Sequence, residues 1–189
     1  MTDAKPIRVW DPVVRLFHWS LVAGFTLNMF VWTDGALLHR YIGYALLGLI
    51  AVRLVWALIG TPYARFSSFV PTPGRLFDYI GKLLRGREPR YVGHNPVGAL
   101  MMIALVGLMA GCGLTGWMME TDAFWGNEAV EEVHETLAWL ILALAGLHIV
   151  AAVIESFRHR ENLILSMLTG RKRAPVAEDV NHAPAADRR

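Results

Sequence analysis

Four of the seven histidines in this chain are placed where they can do chemistry. His134 and His148 stand fourteen residues apart in VHETLAWLILALAGLHIVAA, residues 133–152, an almost uncharged apolar stretch. At 3.6 residues per turn that spacing is nearly four turns, so both imidazoles share one helix face, about 21 Å apart along the axis. Ala138, Ile141 and Ala145 lie between them on that face, with Ala152 beyond. Small side chains alternating with imidazoles leave room for something wide and flat. An imidazole inside hydrocarbon has lost its water, so an ionisable residue at membrane depth is a functional hypothesis by default. Two at two depths imply two sites.

The elements that must position them follow from composition. Of 189 residues, 54% are hydrophobic and 18% charged, more apolar and less charged than an ordinary soluble domain. Four long apolar runs, 16–33, 41–60, 96–119 and 133–154, approach the twenty residues a spanning helix needs. They predict an all-α, four-helix transmembrane bundle in one domain, residues 1–170, followed by a disordered cytoplasmic tail, residues 171–189. No nucleic-acid partner is expected, membrane lipid is, and a homodimer stays open.

Charge sorting orients the bundle. Lys5, Arg8 and Arg15 precede the first span; Arg65, Arg75, Lys82, Arg85, Arg87 and Arg90 lie between the second and third; Arg158, Arg160, Arg171, Lys172 and Arg173 follow the fourth. The other two connections carry Arg40 against Asp34, Glu120, Asp122, Glu128, Glu131 and Glu132. The positive-inside rule therefore puts both termini and the long middle loop in the cytoplasm. The first span reads as an uncleaved anchor, since Asp3 and Asp11 precede it and no small-residue cleavage site follows. In the middle loop Thr72 and Pro73 suit an N-cap and first helical position. Leu76, Phe77, Ile80, Leu83 and Leu84 then recur on one face, which predicts an amphipathic helix over 73–85 on the inner surface. Gly107 and Gly111, then Gly113 and Gly116, allow close approach along the third span. Cys112 is the single cysteine, and packing is its expected role.

Topology then pairs the histidines. His18 lies at the inner end of span one, His39 at the outer end of span two, His134 at the outer end of span four, and His148 in the inner half. Each height holds two imidazoles from different helices. A planar macrocycle with axial imidazoles needs this arrangement and haem iron is a common target of such ligands, so two sites are inferred, an inner one between His18 and His148 and an outer one between His39 and His134. Interhelical polar contacts fit single histidines but fit four matched in height poorly, and zinc lacks further ligands at those depths. Arg53 lies fourteen residues after His39, on the same face at the inner height, with no acidic residue at its depth. It faces a propionate or quinone headgroup, or snorkels to the inner interface. His94 and Asn95, at the inner mouth, bond a quinone carbonyl or form an interfacial polar cap. His159 and His182 fall outside the membrane and are poor ligand candidates.

The segments VWDPVVRLFHW at 9–19, HRYIGYALLGLIAVRLVWALIG at 39–60, GHNPVGAL at 93–100, LTGW at 114–117 and VHETLAWLILALAGLH at 133–148 carry a resemblance. With them the chain resembles the bacterial cytochrome b561 and nickel-iron hydrogenase b-type cytochrome superfamily, which includes the b subunit of membrane formate dehydrogenase. The resemblance implies two b haems on His18, His39, His134 and His148. It also implies respiratory electron exchange between ubiquinone or menaquinone and an outer, periplasmic partner, a c-type cytochrome or metalloenzyme subunit. Members resembling a stand-alone superoxide:quinone oxidoreductase form the alternative. The acidic outer loops repel superoxide and favour a docked partner. A non-redox transporter or assembly subunit would need the intramembrane carboxylates or paired interrupted helices this chain lacks. No acid–base catalytic residue is identified.

Overall fold

A computed structural model describes residues 5–33 and 36–182; Asp3, Asp34 and the tail beyond 182 lie outside the described residues. In chain order the elements are β1 (Ile7–Arg8), α1 (Pro12–Phe30), α2 (Leu37–Ile59), a single 3-10 turn (Pro62–Ala64), α3 (Phe66–Phe69), α4 (Pro73–Leu84), α5 (Pro96–Met118), α6 (Glu128–Arg158), α7 (Leu163–Thr169) and β2 (Arg171–Lys172). Four helices, α1, α2, α5 and α6, are long and apolar enough to cross a membrane, as expected. Most of their surface is exposed and apolar, including Tyr41, Val52, Leu58, Trp139, Ile149 and Phe157. Bilayer hydrocarbon is the solvent such a surface suits.

The helices start and stop for identifiable reasons. At α1 the Asp11 Oδ1 accepts from Val14 N at 3.0 Å, and Pro12 takes the first helical position, where its missing N–H costs nothing. At α4 Thr72 accepts from Arg75 N, with Pro73 at the first position, as the sequence predicts. Asn95 caps α5 through Gly98 N at 2.7 Å, ahead of Pro96. α6 runs 31 residues, well past its apolar core. Asn127 Oδ1 accepts from Ala129 N and Val130 N, and Glu128 and Glu131 suit the positive end of the helix dipole.

The chain forms two compact units. The first comprises the described residues of 1–15, 55–102 and 148–189. Its core gathers Val9, Trp10, Val14, Ala64 and Val92, with Ile7, Trp56, Tyr63 and Met167 against them. Asp11 ties this unit together: its Oδ2 accepts from Thr61 Oγ1 at 2.5 Å and from Trp56 Nε1 at 3.1 Å. Burial would push its pKa up, but the bonds from Thr61, Val14 and Trp56 prevail and hold it below the ordinary carboxylate value.

Residues 171–182, the described part of the tail, pack back on the first unit. Lys172 pairs with Ile7, and Arg171 with Arg8, as an antiparallel two-stranded ribbon, a small departure from an all-α chain. Gly170 ends α7 at φ 78 in the left-handed region. Its carbonyl accepts from Val9 N and Trp10 N, and a Cβ there would stand 2.6 Å from the Trp10 carbonyl oxygen. Buried Arg90 donates to both oxygens of Glu161, to Asp179 and to the Arg173 carbonyl. Lys172 adds a second cation 3.3 Å from Glu161. Val92 N donates to the Val180 carbonyl, and Val180 N to that of Arg90. Residues 171–182 are therefore held by charge pairing and backbone bonds. Composition hides this, because a polar, proline-containing tail lacks the apolar area by which order is usually read.

The second unit comprises 16–54 and 103–147. Leu46, Ile50, Cys112 and Ile141 are buried in it. Gly24 and Gly113 make room for leucine side chains: a Cβ at either would fall within 3 Å of Leu46 and Leu47 side-chain carbons respectively. Gly111 meets Leu137 at ordinary contact distance, so the small residues of α5 serve close packing.

Candidate functional site

The second unit brings His39 and His134 together, with ring centres 6.2 Å apart and planes tilted by 59°. Each ring is anchored at one nitrogen. His39 Nδ1 lies 2.7 Å from the Trp32 carbonyl oxygen, and His134 Nδ1 lies 2.8 Å from that of Cys112. A carbonyl only accepts, so Nδ1 is protonated in both rings and Nε2 keeps its lone pair. This is the tautomer that a metal-ligating histidine takes when its other N–H is held by a carbonyl.

Further groups brace the pair. Asn28 Nδ2 donates to the His39 carbonyl at 2.9 Å. Thr115 Oγ1 lies 3.1 Å from His134 Nδ1 and bonds the Gly111 and Cys112 carbonyls within α5. Gly116 faces His134, where a Cβ would stand 3.1 Å from Cε1. A Cβ at Gly43, one turn after His39, would meet nothing within 4 Å, so the His39 side of α2 has open space. Metal–imidazole bonds of about 2 Å, with about 1 Å from nitrogen to ring centre, set two axial rings about 6 Å apart. The observed separation, the carbonyl-held Nδ1 atoms and the open space beside Gly43 fit a haem held between the two rings.

The other predicted residues are placed as follows. His18, half-buried on α1 in the second unit, sets its ring edge-on to Trp19 at 5.0 Å. His148 is half-buried on α6 in the first unit. Arg53 of α2 is buried, at 6% exposure. His94 is enclosed by Trp10 at 4.7 Å and Phe69 at 5.5 Å. A small opening beside it is lined by Tyr63, Phe69, Tyr91 and His182. Asn95 spends its oxygen on the α5 cap, and its Nδ2 lies 3.5 Å from Glu155.

Sequence reasoning missed the partners of the rings. Trp32 and Cys112 contribute backbone carbonyls, which leave no trace in residue type. Cys112 is buried; its carbonyl holds His134 Nδ1, and its thiol donates to the His134 carbonyl at 3.8 Å and lies 3.7 and 3.9 Å from the two ring nitrogens. Thr115 had a signal: a lone hydroxyl in the LTGW segment, about one turn from Cys112. The acidic connection is more one-sided than its composition, since Arg40 is paired with Glu120 at 2.5 Å. Asp122, Glu128, Glu131, Glu132 and Trp125 are exposed.

Residues 9–170 match the family described as Prokaryotic cytochrome b561. The chain is similar to a probable Ni/Fe-hydrogenase B-type cytochrome subunit of Bradyrhizobium diazoefficiens, 25% identical over 88% of this chain and 85% of the relative. Proteins of the same description in Rhizobium leguminosarum bv. viciae and Azotobacter vinelandii are 26% and 24% identical. They are covered over 93% and 87% of their length, and cover 94% and 87% of this chain. No solved structure matches the chain.

Proposed function

The chain belongs to the prokaryotic cytochrome b561 family, and on that premise we propose a di-haem cytochrome b that passes electrons between the quinone pool and an outer redox partner. Family membership and the four apolar helices make it a multi-pass membrane protein, a b-type cytochrome of electron transfer. The proposal adds the ligands, the quinone and the partner.

The observation that carries it is the His39–His134 pair, each ring held at Nδ1 by a carbonyl. His39 and His134 hold the outer haem through Nε2. Trp32, Cys112 and Thr115 keep the rings in that tautomer. Bound haem supplies one-electron exchange between ferrous and ferric iron. The inner pair, His18 with His148, rests on spacing along the sequence. Arg53 supplies a buried positive charge for a propionate or an anionic quinone. His94 offers a ring nitrogen to a quinone carbonyl at the inner mouth, in an aromatic setting that suits a flat headgroup. Asn95 orients that end of α5 through its cap.

Two observations favour a docked redox enzyme subunit over a stand-alone superoxide enzyme. The similar proteins are described as hydrogenase cytochrome subunits. The outer connections offer exposed carboxylates while their basic residue is engaged by Glu120, a surface that attracts cationic partners and repels small anions. The deciding experiment is a pyridine haemochrome count with a reduced-minus-oxidised spectrum on the detergent-purified protein. The expected result is two b haems per chain. His39→Ala and His134→Ala each leave one, and His18→Ala and His148→Ala each remove the other. No haem in protein made with ample haem, or loss of both from a correctly inserted single variant, sinks the assignment.

A further inference from the structure

The first unit holds a second group of metal-ligating side chains that the haem reading does not use. Glu155 and His159 stand one turn apart near the end of α6, with Glu155 Oε2 3.2 Å from His159 Nε2. Glu88, from the loop after α4, joins them: one ligand atom from each of the three lies within 4.8 Å of the others. These are not solvated surface acids. The side chains of Glu88, Glu155 and His159 are 2%, 17% and 16% exposed.

An independent observation points to a missing ligand. Tyr79 of α4 is 1% exposed, and its hydroxyl has no hydrogen-bond partner among the described residues. Glu155 and Glu88 are close enough for their charges to act on that hydroxyl. A buried, unpartnered hydroxyl within electrostatic reach of two carboxylates is completed when water or an ion lies between it and them. Compensation within the chain is partial. Arg158 Nη2 lies 2.6 Å from Glu88 Oε1 and 2.7 Å from Oε2. Glu155 has the His159 ring and the distant Asn95 amide.

We propose that Glu88, Glu155 and His159 form a binding site for a borderline divalent cation of the zinc class, with Tyr79 bonded to a water on the metal. Two carboxylates and one imidazole suit such an ion, whereas calcium and magnesium favour all-oxygen sets. Three protein ligands leave a position open for that water. Arg158, 34% exposed, competes with the metal for Glu88 and can turn out to solvent when displaced. The site joins the loop after α4 to the end of α6, and Arg158 sets how readily it fills.

The test uses the full-length, haem-loaded protein in detergent, stripped with a chelator and titrated with zinc chloride against a fluorescent zinc indicator near pH 7.5. One zinc per chain is expected. Glu155→Gln and His159→Ala each weaken binding at least tenfold with an unchanged haem spectrum. Arg158→Gln strengthens it at least threefold, which a cluster of ion pairs without a metal role would not do. Zinc-edge X-ray absorption on the parent is expected to give a nitrogen and oxygen shell with one imidazole and no sulfur. The proposal is overturned if neither the parent nor Arg158→Gln binds stoichiometrically. It is equally overturned if Glu155→Gln and His159→Ala bind as the parent does, or if the shell contains sulfur or several imidazoles.

Discussion

Replacing Asp11 tests how the first unit is held at the start of α1. The carboxylate accepts from Val14 N at 3.0 Å, Trp56 Nε1 at 3.1 Å and Thr61 Oγ1 at 2.5 Å. Alanine removes all three. Loss of the cap costs about 1 kcal/mol. Each further bond to the charged group contributes about 1.5 kcal/mol, so the total is about 4 kcal/mol. At about 2–4 °C per kcal/mol for a chain of this size, the unfolding midpoint falls by about 10 °C. Asp11→Asn is more discriminating. Its oxygen still caps Val14, and the Thr61 hydroxyl can rotate to accept from the new amide, but Trp56 Nε1 then meets a donor. Asparagine therefore costs about half as much as alanine. The folded pKa of Asp11 is lowered from 3.8, so the unfolded chain takes up its proton first. The contribution is present above the unfolded value and is lost as pH falls from there through the lower folded value. Thermal scans of helicity in detergent, at neutral pH and across the acid range, check both points. A midpoint within a degree of the parent for Asp11→Ala would refute the reasoning, as would an acid-limb difference of the opposite sign.

Thr115→Val, which removes the hydroxyl 3.1 Å from His134 Nδ1, is expected to lower outer-haem affinity about tenfold and leave the second haem in place, read by haem titration. Gly116→Ala should act on the same haem, because its Cβ would stand 3.1 Å from His134 Cε1; an unchanged spectrum and affinity would argue that the ring is free to yield. Arg90→Met leaves Glu161 and Asp179 facing Lys172 without their main partner and should cost about 3–5 kcal/mol, seen as early proteolysis within 171–182. Charge removal at Glu128, Glu131 and Glu132 together should slow electron exchange with a basic c-type cytochrome and flatten its salt dependence, measured by stopped flow; no change would place docking elsewhere.

Much of the molecule was legible before any coordinates. Four runs of nearly uncharged residues have few alternatives in an aqueous chain, and each became a helix long enough to span a bilayer. The cap at Thr72 and the proline after it are local chemistry, readable from neighbouring residues. The alignment of His134 with His148 follows from helical period alone. The helix after Thr72 was equally accessible, since an apolar face recurring every three to four residues implies α4.

What escaped the sequence depends on groups far apart in the chain or on backbone atoms. Arg90 meets Glu161, Asp179 and the Arg173 carbonyl across more than seventy residues. His159 was set aside, yet Glu88 from another element stands beside it. Helical period and apolar length, being local, determined the four helices and the sharing of one α6 face by His134 and His148. The choice of tautomer at His39 and His134, the pairing of the tail with β1 and the assembly of Glu88 with Glu155 and His159 were decided by tertiary structure. Each requires hydrogen-bond or charge partners that only folding brings within reach.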